Sequence, residues 1–212
     1  MRRRPIFSEL GRAIPFGIAV AAALVLSQPL VRAANSPVTI GGPFTLTSPD
    51  GTSVTEQTYR GKWLLVFFGY TSCPDACPTA LLEIAAALTR LGPHADKLQP
   101  LFITVDPLRD TAAVMGNYTQ SFDSRIVGLT GTPQQIAAVA HDYGVYYTAR
   151  QNGPGADDYV MDHSTYLYLM DPEGNFVRGF DADTTGERIA EAVRGAMAKA
   201  RENGSHRGRS TQ

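Results

Sequence analysis

Trp63-Leu64-Leu65-Val66-Phe67-Phe68-Gly69-Tyr70-Thr71-Ser72-Cys73-Pro74-Asp75-Ala76-Cys77-Pro78 is the stretch on which the reading of this 212-residue chain turns. Its first six residues are a continuous apolar run of strand formers. Such a run suits a strand covered on both faces, at the centre of a parallel or mixed sheet. From Pro78 to Leu91 the pattern changes to helical, with Leu81, Ala85, Leu88 and Leu91 on one face and Gly92-Pro93 as a stop. A buried strand therefore hands over to a helix through a loop that holds the chain's only two cysteines.

Working outward, Leu101-Phe102-Ile103-Thr104-Val105 is a second buried strand ending at Asp106-Pro107. Residues 111–122 read as helix and Ile126–Leu129 as a short strand. Thr132-Pro133-Gln134-Gln135 opens another helix, with a cap and a proline at its first position, which Gly144 closes. Tyr146 to Tyr159 reads as a polar, Gly-rich excursion. Thr165–Met170 is a strand, Asp171–Asn175 a turn and Phe176-Val177-Arg178 its antiparallel partner, before a final helix from about Thr185 to Ala200. On the N-terminal side, Val38–Thr47 and Ser53-Val54-Thr55 flank Pro49-Asp50-Gly51 and predict a hairpin. Strand–helix–strand–helix, then a hairpin and a closing helix, is an α/β order. With a cysteine pair at the end of the first central strand it is the thioredoxin order. The expected fold is a thioredoxin-like three-layer sandwich with a central mixed sheet and an added N-terminal hairpin.

Residues 1–33 carry five arginines against Glu9, and an uncharged run from Ala13 to Val31 ends in Val31-Arg32-Ala33. That is the pattern of a signal peptide, and at 19 residues the run also just reaches the length of a membrane anchor. In either case the arginines stay in the cytoplasm and the remainder is delivered outside it, to a periplasmic location or the extracytoplasmic face of an inner membrane. The expected organisation is 1–33 signal peptide or anchor, 34–37 linker, 38–201 thioredoxin-like domain and 202–212 flexible tail. Without residues 1–33 the charge falls to -5, with 14 basic and 19 acidic residues. A mildly acidic domain has no footprint for phosphate backbones, which argues against nucleic acid as a partner.

In an exported protein two cysteines four residues apart are usually read as a structural disulfide. A bridge closing so short a loop restricts the unfolded chain little and stabilises little. The surroundings fit reactivity better. With Pro78 as the first helical residue and Cys77 at the cap, the helix N-terminus would face both sulfurs and lower their pKa values. The spacing C-x-x-x-C is one residue longer than the redox motif. It can form a disulfide, and it can also open around a metal. Two thiolates do not complete a zinc site, but they suit Cu(I), which prefers soft ligands. Of four histidines, His206 is in the tail, His94 in a loop and His141 inside a helix. His163, just before the strand 165–170, falls beside the cysteine loop in a thioredoxin-like order. It is the candidate third ligand, and Asp162 reads equally as a residue that orients its ring or as a solvated strand-end carboxylate.

Phe67–Pro78, Thr104-Val105-Asp106-Pro107-Leu108-Arg109-Asp110-Thr111, and Asp162-His163-Ser164 followed by Tyr168-Leu169-Met170-Asp171-Pro172 together resemble the Sco/SenC/PrrC proteins. The resemblance runs over residues 38 to 200. It implies a membrane-associated copper-binding protein that helps load the dinuclear CuA centre of cytochrome c oxidase. It also implies Cys73, Cys77 and His163 as ligands of Cu(I) or Cu(II), Asp106 as a supporting residue, and the CuA-bearing oxidase subunit and other copper chaperones as partners. Three further readings stand beside it. Cys73 and Cys77 alone would serve a thiol–disulfide reductase that keeps an acceptor's cysteines reduced. The same site would serve a redox or copper sensor. A peroxiredoxin-like peroxidase fits poorly, because Thr71 lies only two residues before Cys73.

Overall fold

In a computed structural model, residues 39–209 are described; the expected signal or anchor, the linker and residues 210–212 lie outside them. The centre is strand β3 (Trp63–Gly69), buried along its whole length. It pairs in parallel with β4 (Leu98–Thr104), and β4 in parallel with β5 (Val127–Leu129). On its other side β3 pairs antiparallel with β8 (Tyr166–Met170), which pairs antiparallel with β9 (Phe176–Asp181). The order β5-β4-β3-β8-β9 makes a mixed five-stranded sheet. The register sets Phe67 between Phe102 and Leu167, so the apolar runs of three strands stack into one core. The fold is the thioredoxin-like α/β arrangement expected from the sequence.

Helix α1 (Ala76–Leu91) connects β3 to β4 and packs on the C-terminal helix α4 (Gly186–Arg209). Gly186 allows the close approach: a Cβ there would stand 2.6 Å from the Glu83 carbonyl oxygen. The Glu83 carboxylate accepts the Gly186 backbone N–H, so α1 supplies the cap of α4. Helices α2 (Ala112–Gln120) and α3 (Pro133–Asp142) complete the domain. Thr132 caps α3 reciprocally with Gln135, as its sequence predicts.

Several boundaries differ from the sequence reading. α1 begins two residues before Pro78, because the first turn of a helix has no internal use for its N–H groups and tolerates proline there. The N-terminal hairpin is shorter: Gly41-Gly42-Pro43 interrupts residues 39–44, and only β1 (Thr45–Thr47) and β2 (Ser53–Thr55) pair. α4 continues through Arg209, past the expected tail boundary at 202, since Arg201 and Glu202 extend a helix already nucleated and packed. The excursion after Tyr146 is a two-stranded ribbon of β6 (Tyr147–Gln151) and β7 (Tyr159–His163). β6 is largely exposed and β7 only half-buried, so neither strand carries the continuous apolar run of a core strand.

Candidate metal centre

Cys73, Cys77 and His163 come together. Their ligand atoms lie within 4.8 Å of one another, and Cys77 Sγ is 3.7 Å from His163 Nε2. Both cysteines are free thiols, Cys73 partly exposed and Cys77 buried. The loop after β3 presents Cys73, the first turn of α1 presents Cys77, and the end of β7 presents His163. His163 thus arrives on the ribbon rather than at the entry to β8. Tyr147 pairs with His163 and ties the two strands at that end.

Three donors at metal-ligand distances of about 2.0–2.3 Å, arranged trigonally, stand about 3.5–4 Å apart. The observed separations need only a slight contraction. His163 Nδ1 lies 2.8 Å from the Ser164 carbonyl oxygen, a contact in which the ring must donate. With Nδ1 engaged there, Nε2 is the ring atom that faces the sulfurs, as a metal ligand requires. Tyr70 and Phe67 meet the imidazole edge-on at 5.8 and 6.5 Å between ring centres and confine it.

Asp162 does not orient that ring. Successive side chains on a strand point to opposite faces, and Asp162 pairs instead with the exposed Arg150 at 2.9 Å. The expectation that the helix N-terminus lowers both thiols is also corrected. The two sulfurs share one proton. Cys73 is lowered to about 3, chiefly by a hydrogen bond from Cys77, then by His163 and by the backbone N–H groups of Asp75 and Cys77. Cys77 is raised, because its proton is held toward Cys73 and burial opposes a second thiolate.

The cysteine loop is tethered from below. Asp110 is buried and accepts the Thr71 backbone N–H (3.0 Å), the Thr71 hydroxyl (2.5 Å) and the Thr104 hydroxyl (2.7 Å). Gly69 leaves room for Cys77, since a Cβ there would sit 2.6 Å from its sulfur and 2.7 Å from the Phe102 ring. Neither residue emerges from sequence reasoning, although Asp110 stands in the quoted Asp106–Thr111 block and Gly69 ends the apolar run. Asp106 is not among the gathered donors. Its carboxylate is held by Arg109 Nε and by the Tyr159 hydroxyl at 2.8 Å.

The SCO1/SenC family model matches residues 32–198. The chain belongs to the SCO1/SenC family. Protein SenC of Rhodobacter capsulatus is 44% identical over 154 residues, which are 73% of this chain and 69% of that protein. Protein SCO1 homolog 1, mitochondrial, of Arabidopsis thaliana is 41% identical over 160 residues, 73% of this chain and 47% of its own length. The match spans 47% to 59% of the length of the first three curated relatives. Among solved structures, Bradyrhizobium japonicum ScoI with copper bound is 48% identical with a TM-score of 0.67, covering 73% of this chain and 98% of that one. The family's thioredoxin-like fold is the one described above. Among the described residues no helix is long and apolar enough to cross a membrane.

Proposed function

We propose that this chain carries copper on Cys73, Cys77 and His163 and delivers it to the CuA centre of cytochrome c oxidase. The observation that carries the reading is the convergence of two sulfurs and one imidazole Nε2 within 4.8 Å. That donor set matches the softness of Cu(I) and leaves a coordination position free for Cu(II) or for an incoming ligand. The copper-bound ScoI of B. japonicum, with nearly half its residues in common, supports the same cargo.

Transfer needs contact with the acceptor's own ligands, and the site is built for contact. Clefts lie between β9 and α4 and under residues 39–43, and another borders the cysteine segment at Asp75 and Ala76. The three donors cluster with Cys73 and His163 partly exposed and Cys77 buried beneath them. An incoming thiolate can reach copper from that side and displace ligands stepwise. The N-terminal apolar segment would deliver the domain to the periplasmic or extracytoplasmic side, where oxidation of the thiols competes with copper binding.

A second reading has its own observation. Cys73 is accessible and held as a thiolate, while Cys77 is buried and keeps its proton. Cys73 would attack an acceptor disulfide, releasing one acceptor thiolate and forming a mixed disulfide. Cys77 would then lose its proton and attack Cys73 Sγ, releasing the second acceptor thiol and leaving a Cys73–Cys77 disulfide.

The two readings separate in one assay. The Cu(I)-loaded soluble domain is mixed anaerobically with a reduced, metal-free CuA domain, and its oxidised counterpart is tested in parallel. Copper delivery is expected to place two Cu(I) ions in the reduced acceptor, read as mixed-valence CuA absorbance once one electron is removed by added ferricyanide, and His163→Ala to abolish it. Formation of acceptor thiols in the oxidised sample, with no copper transferred to the reduced one, would replace carriage with reduction.

A further inference from the structure

The ribbon that holds His163 has little to stand on. β6 and β7 pair only with each other, apart from the five-stranded sheet. A lone two-stranded hairpin is marginal in water. Its position over the cysteine loop must come from side-chain anchors. Tyr159, Met161 and His163 alternate onto one face of β7, and each meets an anchor or the site. Met161 packs against the core, and the Tyr70 ring meets His163.

At the far end of the strand stands Arg109. Its Nε pairs with Asp106, which is 3% exposed. Its Nη1 donates to the carbonyl oxygens of Tyr159 (3.0 Å) and Asp157 (3.3 Å). Its guanidinium lies 3.7 Å from the Tyr159 ring centre and 5.8 Å from that of Tyr70. The Tyr159 hydroxyl closes the circle by donating to the other Asp106 oxygen at 2.8 Å. Nη2 of Arg109 is buried without an acceptor, so the cation depends on the rings around it. One guanidinium therefore joins the loop after β4, the cysteine-bearing loop and the start of β7.

We infer that Asp106, Arg109 and Tyr159 form a clasp that registers the β6–β7 ribbon over the cysteine loop, with Arg109 as the positioning residue for His163. The lever is short: four residues of strand, about 13 Å, separate Tyr159 from His163. Releasing Tyr159 frees the strand to pivot about Met161 and carries the imidazole away from the sulfurs. Asp106 thereby acts through Arg109 and Tyr159. Lysine cannot replace the arginine, since a single ammonium cannot reach a carboxylate and two carbonyls in the same fork.

The inference rests on His163 being a copper ligand only in its second half, and the test separates the two. In the metal-free protein, amide hydrogen exchange is compared between wild type and Arg109→Ala. Exchange in β6 and β7 is expected to rise at least tenfold while β3 and β4 are unchanged. Unchanged exchange in the ribbon overturns the clasp, as does a uniform rise over the whole sheet. Tyr159→Phe, which removes only the hydroxyl, gives the same reading in a milder variant, with a smaller rise expected in the same amides. Cu(I) affinity then supplies a double-mutant cycle. Arg109→Ala is expected to lose no more than His163→Ala, and the double variant no more than His163→Ala alone. Additive losses overturn positioning through His163. A His163→Ala protein that binds copper as wild type does refutes the ligand assignment instead, and the exchange data still decide the clasp.

Discussion

Replacing Gly69 with alanine tests how the fold seats Cys77. The new Cβ would lie 2.6 Å from Cys77 Sγ and 2.7 Å from Phe102 Cε2, where ordinary contacts begin near 3.4 Å. Neither neighbour yields easily. Cys77 is fully buried, and the Phe102 ring is stacked on Phe67 at 5.8 Å. Overpacking of this kind costs about 1–3 kcal/mol, and the gain from removing a strand glycine returns about 0.5–1 kcal/mol. The net is about 1–2 kcal/mol, or roughly 3–6 °C in Tm for a domain of this size. The sulfur must retreat by roughly 0.8 Å to restore ordinary contact. Disturbing the surroundings of a ligand typically lowers metal affinity about 10–100-fold, and that is the loss expected for Cu(I). Adding Phe102→Leu discriminates further. It opens space on one side of the new methyl, so part of the Tm should return while copper affinity stays low. A Gly69→Ala protein with wild-type Tm and wild-type affinity would refute the reasoning.

The remaining predictions concern the thiols and their supports. Because Cys73 is lowered to about 3, its thiolate persists at every pH above that value. Alkylation by iodoacetamide should therefore run at a nearly constant rate between about pH 5 and 8 and modify Cys73 alone. A rate falling tenfold per unit below pH 8, as for an ordinary thiol, would contradict the assigned hydrogen bonds. Asp110→Ala strands three donors, the buried Thr104 hydroxyl and the half-buried Thr71 N–H and hydroxyl, and should cost on the order of 2–3 kcal/mol, read as roughly 4–12 °C in Tm by calorimetry; a loss under 1 °C would mean the tether is not needed. Asp162→Ala removes only an exposed ion pair worth about 0.5 kcal/mol and should leave copper affinity within twofold. A tenfold loss would restore Asp162 as the residue that orients His163.

The central sheet was legible because burial on both faces leaves a continuous apolar run, and β3 has one. The cysteines were legible because their residue type and spacing carry chemistry whatever the surrounding structure. His163 was found from its place before β8, although the structure delivers it on a strand of its own. What escaped was whatever depends on contacts between distant segments. Asp106, Arg109 and Tyr159 meet across some 50 residues of chain, and nothing in the local pattern announces it. Of the two readings of Asp162, the solvated carboxylate is the one the structure supports, for a related reason. Adjacency to His163 suggested a partner, but strand alternation sends the two side chains apart. The pKa asymmetry was also out of reach, because a helix-terminus argument treats both sulfurs alike. Only the geometry shows that one accepts the hydrogen bonds while the other is buried.

The central claim is that three side chains, and no others, hold the copper. Anaerobic Cu(I) titration of the reduced soluble domain against a competing chelator tests it most directly, with Cys73→Ser, Cys77→Ser and His163→Ala measured alongside. One tight equivalent in the wild type, lost in each cysteine variant and weakened at least tenfold by His163→Ala, is the predicted result. A wild-type stoichiometry other than one, or a His163→Ala protein that binds as tightly as wild type, would contradict it.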